Sequence, residues 1–403
     1  MAVTLPRLQR PVTSGKARLR RYLLGTEEGA KAVAAGLAGG SDWFRSAVPR
    51  KRMKQLMQRT DERATRDTAL WLGGMAACGA IGSGLLSTRR YKALAVPFLG
   101  MYGLLYGSAS DSRWHEMGHG TAFKTRWKND VVYQIACFMV MRDPTVWRWS
   151  HTRHHTDTLI VGRDPEIAVM RPARLAKVLG NLFALVDAPV AMRDMVLHAS
   201  GRLTGGERTY IPDSEQARVY RTARIWAAIY AGTIATAVAT RSWIPLLLVG
   251  LPRMYGGSLL VVYGVTQHAG MGENVLDHRL NTRTVHMNRF NRFMYSNMNY
   301  HVEHHMFPMV PYHRLPELHE EIKHDLAPAY PGIIAAYREI IPAILRQLRD
   351  ETYYIRRELP EGAAPYHSMD DGRALDLPEL PDDAQPAADP ADRPTDAEEN
   401  RDG

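Results

Sequence analysis

The stretch Thr68–Ser87, TALWLGGMAACGAIGSGLLS, carries no charged side chain in 20 residues. As a helix that is about one crossing of a bilayer core. A second uncharged run, Ala93–Ser110 (ALAVPFLGMYGLLYGSAS), follows after Arg89, Arg90 and Lys92. Two more come later: Ala223–Thr240, interrupted only by Arg224, and Trp243–Gln267, interrupted only by Arg253. Trp71, Tyr91, Trp226 and Trp243 stand near the ends of these runs, as in an interfacial belt. Buried helices of a soluble α protein are the alternative. Pairs of long uncharged runs joined by tight turns favour the membrane, where Pro245 and Pro252 are also better tolerated.

The reading is therefore an all-α fold: an integral-membrane four-helix bundle of two helical hairpins, with a cytosolic helical cap. Its spans lie at about 68–87, 93–110, 223–240 and 243–267. The mean hydropathy of −0.30 argues against a chain that is membrane throughout, which fits a few spans under polar flanks. Residues 1–67 form a basic segment without a signal-peptide pattern, cytoplasmic by the positive-inside tendency. The basic turn at Arg89–Lys92 pulls the other way. Residues 68–356 form the membrane domain. Residues 357–403 are acidic, rich in Pro, Ala and Asp, and are read as a disordered tail.

Two cysteines among 403 residues exclude a disulfide scaffold or a cysteine-ligated metal domain. Sixteen histidines are another matter, for eight of them fall in three clusters. His115 and His119 form an HxxxH pattern after the second run. His151, His154 and His155 form HxxHH, and His301, His304 and His305 repeat it after the fourth run. Positions i, i+3 and i+4 share a helical face, so each cluster can aim several imidazoles at one place while the adjacent pair splays toward two metals. An even number of crossings separates the clusters, so all eight emerge on one membrane side. Eight imidazoles exceed the needs of one metal and suit two, of a kind that spacing alone leaves open.

His115-Glu116-Met117-Gly118-His119 also matches HExxH, the zinc-protease pattern with Glu116 as base. That reading leaves both HxxHH clusters idle. A metal transporter would instead carry its ligands inside the spans.

HxxxH, HxxHH and HxxHH around two hairpins resemble the integral-membrane fatty acid desaturase and hydroxylase superfamily. The resemblance runs from about Trp71 to Leu348. It includes Gly162-Arg163-Asp164-Pro165-Glu166, Thr266-Gln267-His268-Ala269-Gly270 and Asn299-Tyr300. The stretches Asp277–Thr284 and Met306–Pro311 resemble a bacterial subgroup that includes the oxygenase of rhizopine catabolism. The resemblance implies two irons that activate dioxygen to take hydrogen from an unactivated C–H bond. The implied ligands are His115, His119, His151, His154, His155, His301, His304 and His305, with His268 as a ninth. A helix-end histidine bonded to a carbonyl is the plain alternative for His268. His278 and His286 are read as non-ligands.

Asp111, Glu116, Asp157, Asp164, Gln267 and Glu303 are within reach as partners for the second ring nitrogen of the ligands; ordinary solvated or capping side chains are the alternative. The activity implied is fatty acyl desaturation, with hydroxylation or oxidative demethylation of a small polar molecule as the alternative. No flavin, haem or nicotinamide fingerprint is present, so electrons come from an external carrier of the ferredoxin kind. Arg142, Arg148, Arg153 and Arg163 could dock it, or could meet lipid headgroups. Partners are thus the bilayer, a donor and an acyl or small-molecule substrate, with no nucleic acid. The implied location is the bacterial inner membrane, with the boxes on the cytoplasmic side.

Overall fold

The computed structural model describes residues 19–39, 42–88, 90–367 and 379–380. Parts of the basic amino-terminal segment, Arg89 of the turn and most of the acidic tail lie outside them. Among the described residues the chain is all helical; only two isolated bridges occur, Thr284 with Tyr300 and Val285 with Tyr330.

The first two apolar runs form an antiparallel hairpin of helix α1, Glu62–Ser87, and helix α2, Lys92–Gly118. Both are long and apolar enough to cross a membrane. Gly82 lets them touch: a Cβ there would stand 2.9 Å from the Leu99 side chain. Helix α2 does not stop at Ser110 as expected. It passes through a π turn at Leu104–Ser108 and continues into the first histidine cluster. The Trp71 indole donates to the Leu105 carbonyl at 2.8 Å, tying α1 to that turn.

Helix α3, Pro144–Thr156, carries the second cluster. Asp143 accepts from the Thr145 and Val146 amides and Pro144 opens the first turn, a start the sequence spells out. Beyond it, Leu175–Phe183 and helix α4, Asp187–Ala199, form a pair bent by 80° that together is apolar enough for a broken span. This pair was not among the expected spans; Lys177, Asp187, Arg193 and Asp194 interrupt its sequence.

Helix α5, Asp213–Thr240, contains the third run. Ile225, Ile234 and Val238 on it are more than half exposed, an apolar outer surface.

The fourth run is not one helix. It breaks into Ile244–Leu248, Pro252–Tyr255 and helix α6, Ser258–His268. Prolines start the first two pieces, Gly250 turns the chain at φ 88°, and Gly256 lies on α2 so closely that a Cβ would stand 1.9 Å from the Gly103 carbonyl. The short helix α7, His301–Met306, carries the third cluster and is wholly buried.

Residues 357–367, part of the expected tail, are placed against the body. The Arg279 guanidinium donates to the carbonyls of Ala364 (2.8 Å) and Pro365 (2.9 Å), and the His367 amide donates to Asp277. Residues 357–367 are therefore strapped to the body by a buried ion pair, which composition alone does not reveal.

Candidate metal centre

All nine histidines meet at one place. The ring nitrogens of His115, His119, His151, His155 and His304 form one group within 4.8 Å, and those of His154, His268 and His305 form another. His301 joins the second group, its Nε2 lying 3.2 Å from the Nε2 atoms of both His268 and His305. In each HxxHH cluster the i and i+4 rings go to one group and the third ring to the other. Thus His151 and His155 part from His154, and His301 and His305 part from His304. Helical spacing causes this, because i and i+4 stack along one stripe while the residue beside i+4 is turned by about 100°.

Within the first group the Nε2 atoms of His115 and His304 are 2.8 Å apart, and that of His151 lies 3.0 Å from His119 and 3.1 Å from His155. Hydrogen bonds to the opposite ring nitrogen fix several tautomers. His154 Nδ1 lies 2.8 Å from Asp164, His151 Nδ1 3.0 Å from Glu166, and His268 Nδ1 2.9 Å from the Asn281 carbonyl. Each acceptor takes the Nδ1 proton, so each Nε2 is left with a lone pair aimed at the others. Lone pairs packed this closely and away from water make a site that a cation would satisfy. The donor set thus fits two metals held by imidazole.

Burial, and then the neighbouring rings, push His155, His301, His304 and His305 well below the usual histidine range, so they are neutral and ready to ligate. For Glu166, burial favours the neutral acid, but His151 outweighs it and holds the carboxyl below its ordinary value.

A single loop supplies two of the acceptors. After α3 the chain turns back through Leu159 at φ 56° and Gly162 at φ 77°. Asp164 accepts from the Leu159 amide with one oxygen and the Glu166 amide with the other, which seats both acids under the second cluster. Gly162 must be glycine for a second reason: its Cβ would lie 2.6 Å from the Gly29 amide of the docked helix Glu27–Ala34.

Of the expected partners, only Asp164 meets a clustered histidine. Asp111 accepts from the Trp114 indole and Arg142, both at 2.9 Å. Glu116 Oε1 accepts from Thr121 and the Tyr312 amide, its Oε2 is buried without a partner, and neither oxygen is bonded to a clustered ring. Asp157 binds the Gly39 amide and Arg163, while Glu303 binds Thr284 and His319. No hydrogen bond links the Gln267 side chain to His268; the Gln267 backbone carbonyl accepts from the Arg283 amide. Sequence reasoning missed Glu166, the Asn281 carbonyl and Thr158, whose hydroxyl is 3.2 Å from His305 Nδ1. Glu166 had a signal in Asp-Pro-Glu; a backbone carbonyl has none. His278 stacks on Trp43 at 4.3 Å, and His286 lies beside His319, both outside the two groups.

The arginines expected to form a docking face are engaged as well. Arg142 turns inward over Trp147 and pairs with Asp111. Arg153 donates to the Thr209 carbonyl and Arg163 pairs with Asp157, leaving Arg148 the most exposed.

A cavity of about 450 Å³ reaches His115, His154 and His268. One wall is a face of α6, with Leu260, Val261, Gly264 and Val265 leading to His268. Trp114, Trp226 and Met195 line it elsewhere.

Residues 91–337 match the family model "Fatty acid desaturase". The chain is 23% identical over 228 residues to the Delta(5) fatty acid desaturase fat-4 of Caenorhabditis elegans, covering 50% of this chain and 51% of that protein. It is 23% identical over 284 residues to an acyl-lipid (9-3)-desaturase of Physcomitrium patens, covering 63% of this chain and 51% of that protein. The chain thus spans about half the length of the curated relatives it matches. It belongs to the fatty acid desaturase family.

Proposed function

We propose that this enzyme is a dioxygen-dependent, multi-pass membrane di-iron oxidoreductase that desaturates a fatty acyl chain. The observation that carries the reading is the convergence of nine histidines into groups of five and four around facing Nε2 atoms. Iron bound there supplies the reductive activation of dioxygen and the removal of hydrogen from an unactivated C–H bond; zinc, without redox chemistry, does not.

His115, His119, His151, His155 and His304 are proposed to hold one iron, and His154, His268, His301 and His305 the other. Asp164, Glu166 and the Asn281 carbonyl keep the protons of their rings on Nδ1 and so hold each Nε2 toward the metal. The apolar wall of α6 presents a hydrocarbon segment to the site and excludes water from it.

α1, α2, α5 and the broken segment from Trp243 to His268 are the membrane elements in this reading, and the boxes face the cytoplasm of a bacterial cell. Electrons come from an external carrier of the ferredoxin kind. The polar part of the cavity, with Asp143, His198 and Glu207 in its wall, favours a second reading: hydroxylation or demethylation of a small polar molecule.

Metal analysis and product analysis test these readings. About two irons per chain and new double bonds in the lipids of an expressing host are the expected results. Two irons with an oxygenated product would move the assignment to the second reading, and one zinc would remove both.

A further inference from the structure

Arg253 is buried, 3% exposed, in the short turn Pro252–Tyr255 that opens toward the cavity. No hydrogen bond or ion pair involves its side chain among the described residues, and its Nη1 is buried without a partner. A guanidinium held in that state is costly, because a buried charge is tolerated only when paired.

Most carboxylates around the same cavity are engaged; the exception is Asp143, whose Oδ1 caps α3 while its Oδ2 is buried without a partner. Asp111 is paired with Arg142, Asp164 and Glu166 with histidines, and Glu207 with His198. Asp187 sits 3.9 Å from Lys177 and is part exposed. The cavity wall therefore carries one positive group with five potential donors and no hydrogen-bonded acceptor among the described residues.

Its position relative to the histidines is set by α6. Arg253 precedes this helix and His268 ends it, and the face of Leu260, Val261, Gly264 and Val265 joins them along the cavity. An 11-residue helix is about 16 Å long, so the cation and the histidines stand at opposite ends of an apolar wall of that order.

We propose that Arg253 binds the free carboxylate of the substrate, and that the chain lies along α6 with a carbon remote from the carboxylate at the histidines. The recognised molecule is an unesterified, chain-bearing carboxylic acid. This rests on the cavity being the substrate site of the oxidoreductase proposed above. It makes Arg253 a specificity-determining residue that the metal chemistry does not require.

The test uses the full chain purified in detergent, with dodecanoate, 1-dodecanol and methyl dodecanoate as probes. Binding is read by equilibrium dialysis and by thermal shift before turnover is measured. Dodecanoate should bind the wild type more tightly than either neutral probe by about tenfold or more, the worth of a charge-assisted, desolvated pair. Arg253→Gln should abolish that preference while leaving dodecanol binding and iron content unchanged, and Arg253→Lys should restore part of it.

Without any probe, Arg253→Gln should melt at the same temperature as the wild type or higher, since it removes an unpaired buried charge. Equal affinity of the wild type for dodecanoate and dodecanol would overturn the proposal, as would an unchanged dodecanoate preference in Arg253→Gln. A lower melting point with parallel loss of all three probes would make the arginine structural and overturn it too. A chain that holds no iron yet keeps the dodecanoate preference would sink the di-iron reading and leave this one standing.

Discussion

The Nε2 atoms of His268 and His301 face each other at 3.2 Å, although 33 residues separate them. The His268 Nδ1–H donates a hydrogen bond to the Asn281 carbonyl, so the nitrogen turned toward His301 carries the lone pair. A histidine that only caps a helix has no reason to direct a lone pair at another imidazole.

His268→Gln should therefore lower iron from about two to about one per chain and abolish turnover, with folding retained. A carbonyl-capping histidine would lose about 1 kcal/mol or less on that change. Iron content and rate, measured together on detergent-purified protein, decide it: wild-type values for both would make His268 structural.

Asp164→Asn and Glu166→Gln should each weaken metal retention by about 10–100-fold, because the acceptors that fix the His154 and His151 tautomers lose their charge. Competition with a chelator followed by metal analysis reads this directly. Asp157→Asn is the control, since Asp157 binds Arg163 and the Gly39 amide and no ring; an equal loss there would remove the assignment.

Glu116→Gln should retain iron and most of the activity, since its carboxylate accepts from Thr121 and Tyr312 and not from the clustered rings. Complete loss of turnover with iron intact would return Glu116 to the reacting groups.

The metal-free protein should lose stability as pH falls through about 6.5, the value of histidines in the unfolded chain. Burial holds His155, His301, His304 and His305 well below that value in the folded state. Below it the unfolded state binds more protons, so stability rises with pH and is fully present above the unfolded value. Thermal melts of chelated protein between pH 8 and pH 5 should show a falling midpoint; a flat profile would mean that these rings are charged in the fold.

Ending the chain after His367 should leave the melting temperature unchanged, whereas ending it after Glu358 should cost about 1–3 kcal/mol. The longer deletion strips the carbonyls of Ala364 and Pro365 from buried Arg279. Equal melting points for the two truncations would show the strap to be dispensable.

The sequence by itself determined the all-helical character, the first hairpin and the three histidine clusters. Each of these is written in local spacing: uncharged runs of bilayer length, and rings at i, i+3 and i+4 that a helix must place on one face. The start of the second cluster's helix is equally local, in Asp143-Pro144.

Only the tertiary structure decided that Gly256, beside the break in the fourth run, meets Gly103 across 153 residues of chain. It also decided which acids meet the rings. Asp111, Glu116, Asp157 and Glu303 are as near in sequence as Asp164, yet each is taken by another partner. Reach along a chain is a matter of spacing, whereas the third dimension depends on where loops turn. The left-handed residues Leu159 and Gly162 bring Glu166 under His151, and the turn at Asp277–Asn281 brings a carbonyl to His268. The unpaired state of Arg253 belongs to the same class, because a charge interrupting an apolar run looks alike in sequence whether its partner is an acid, a headgroup or a substrate.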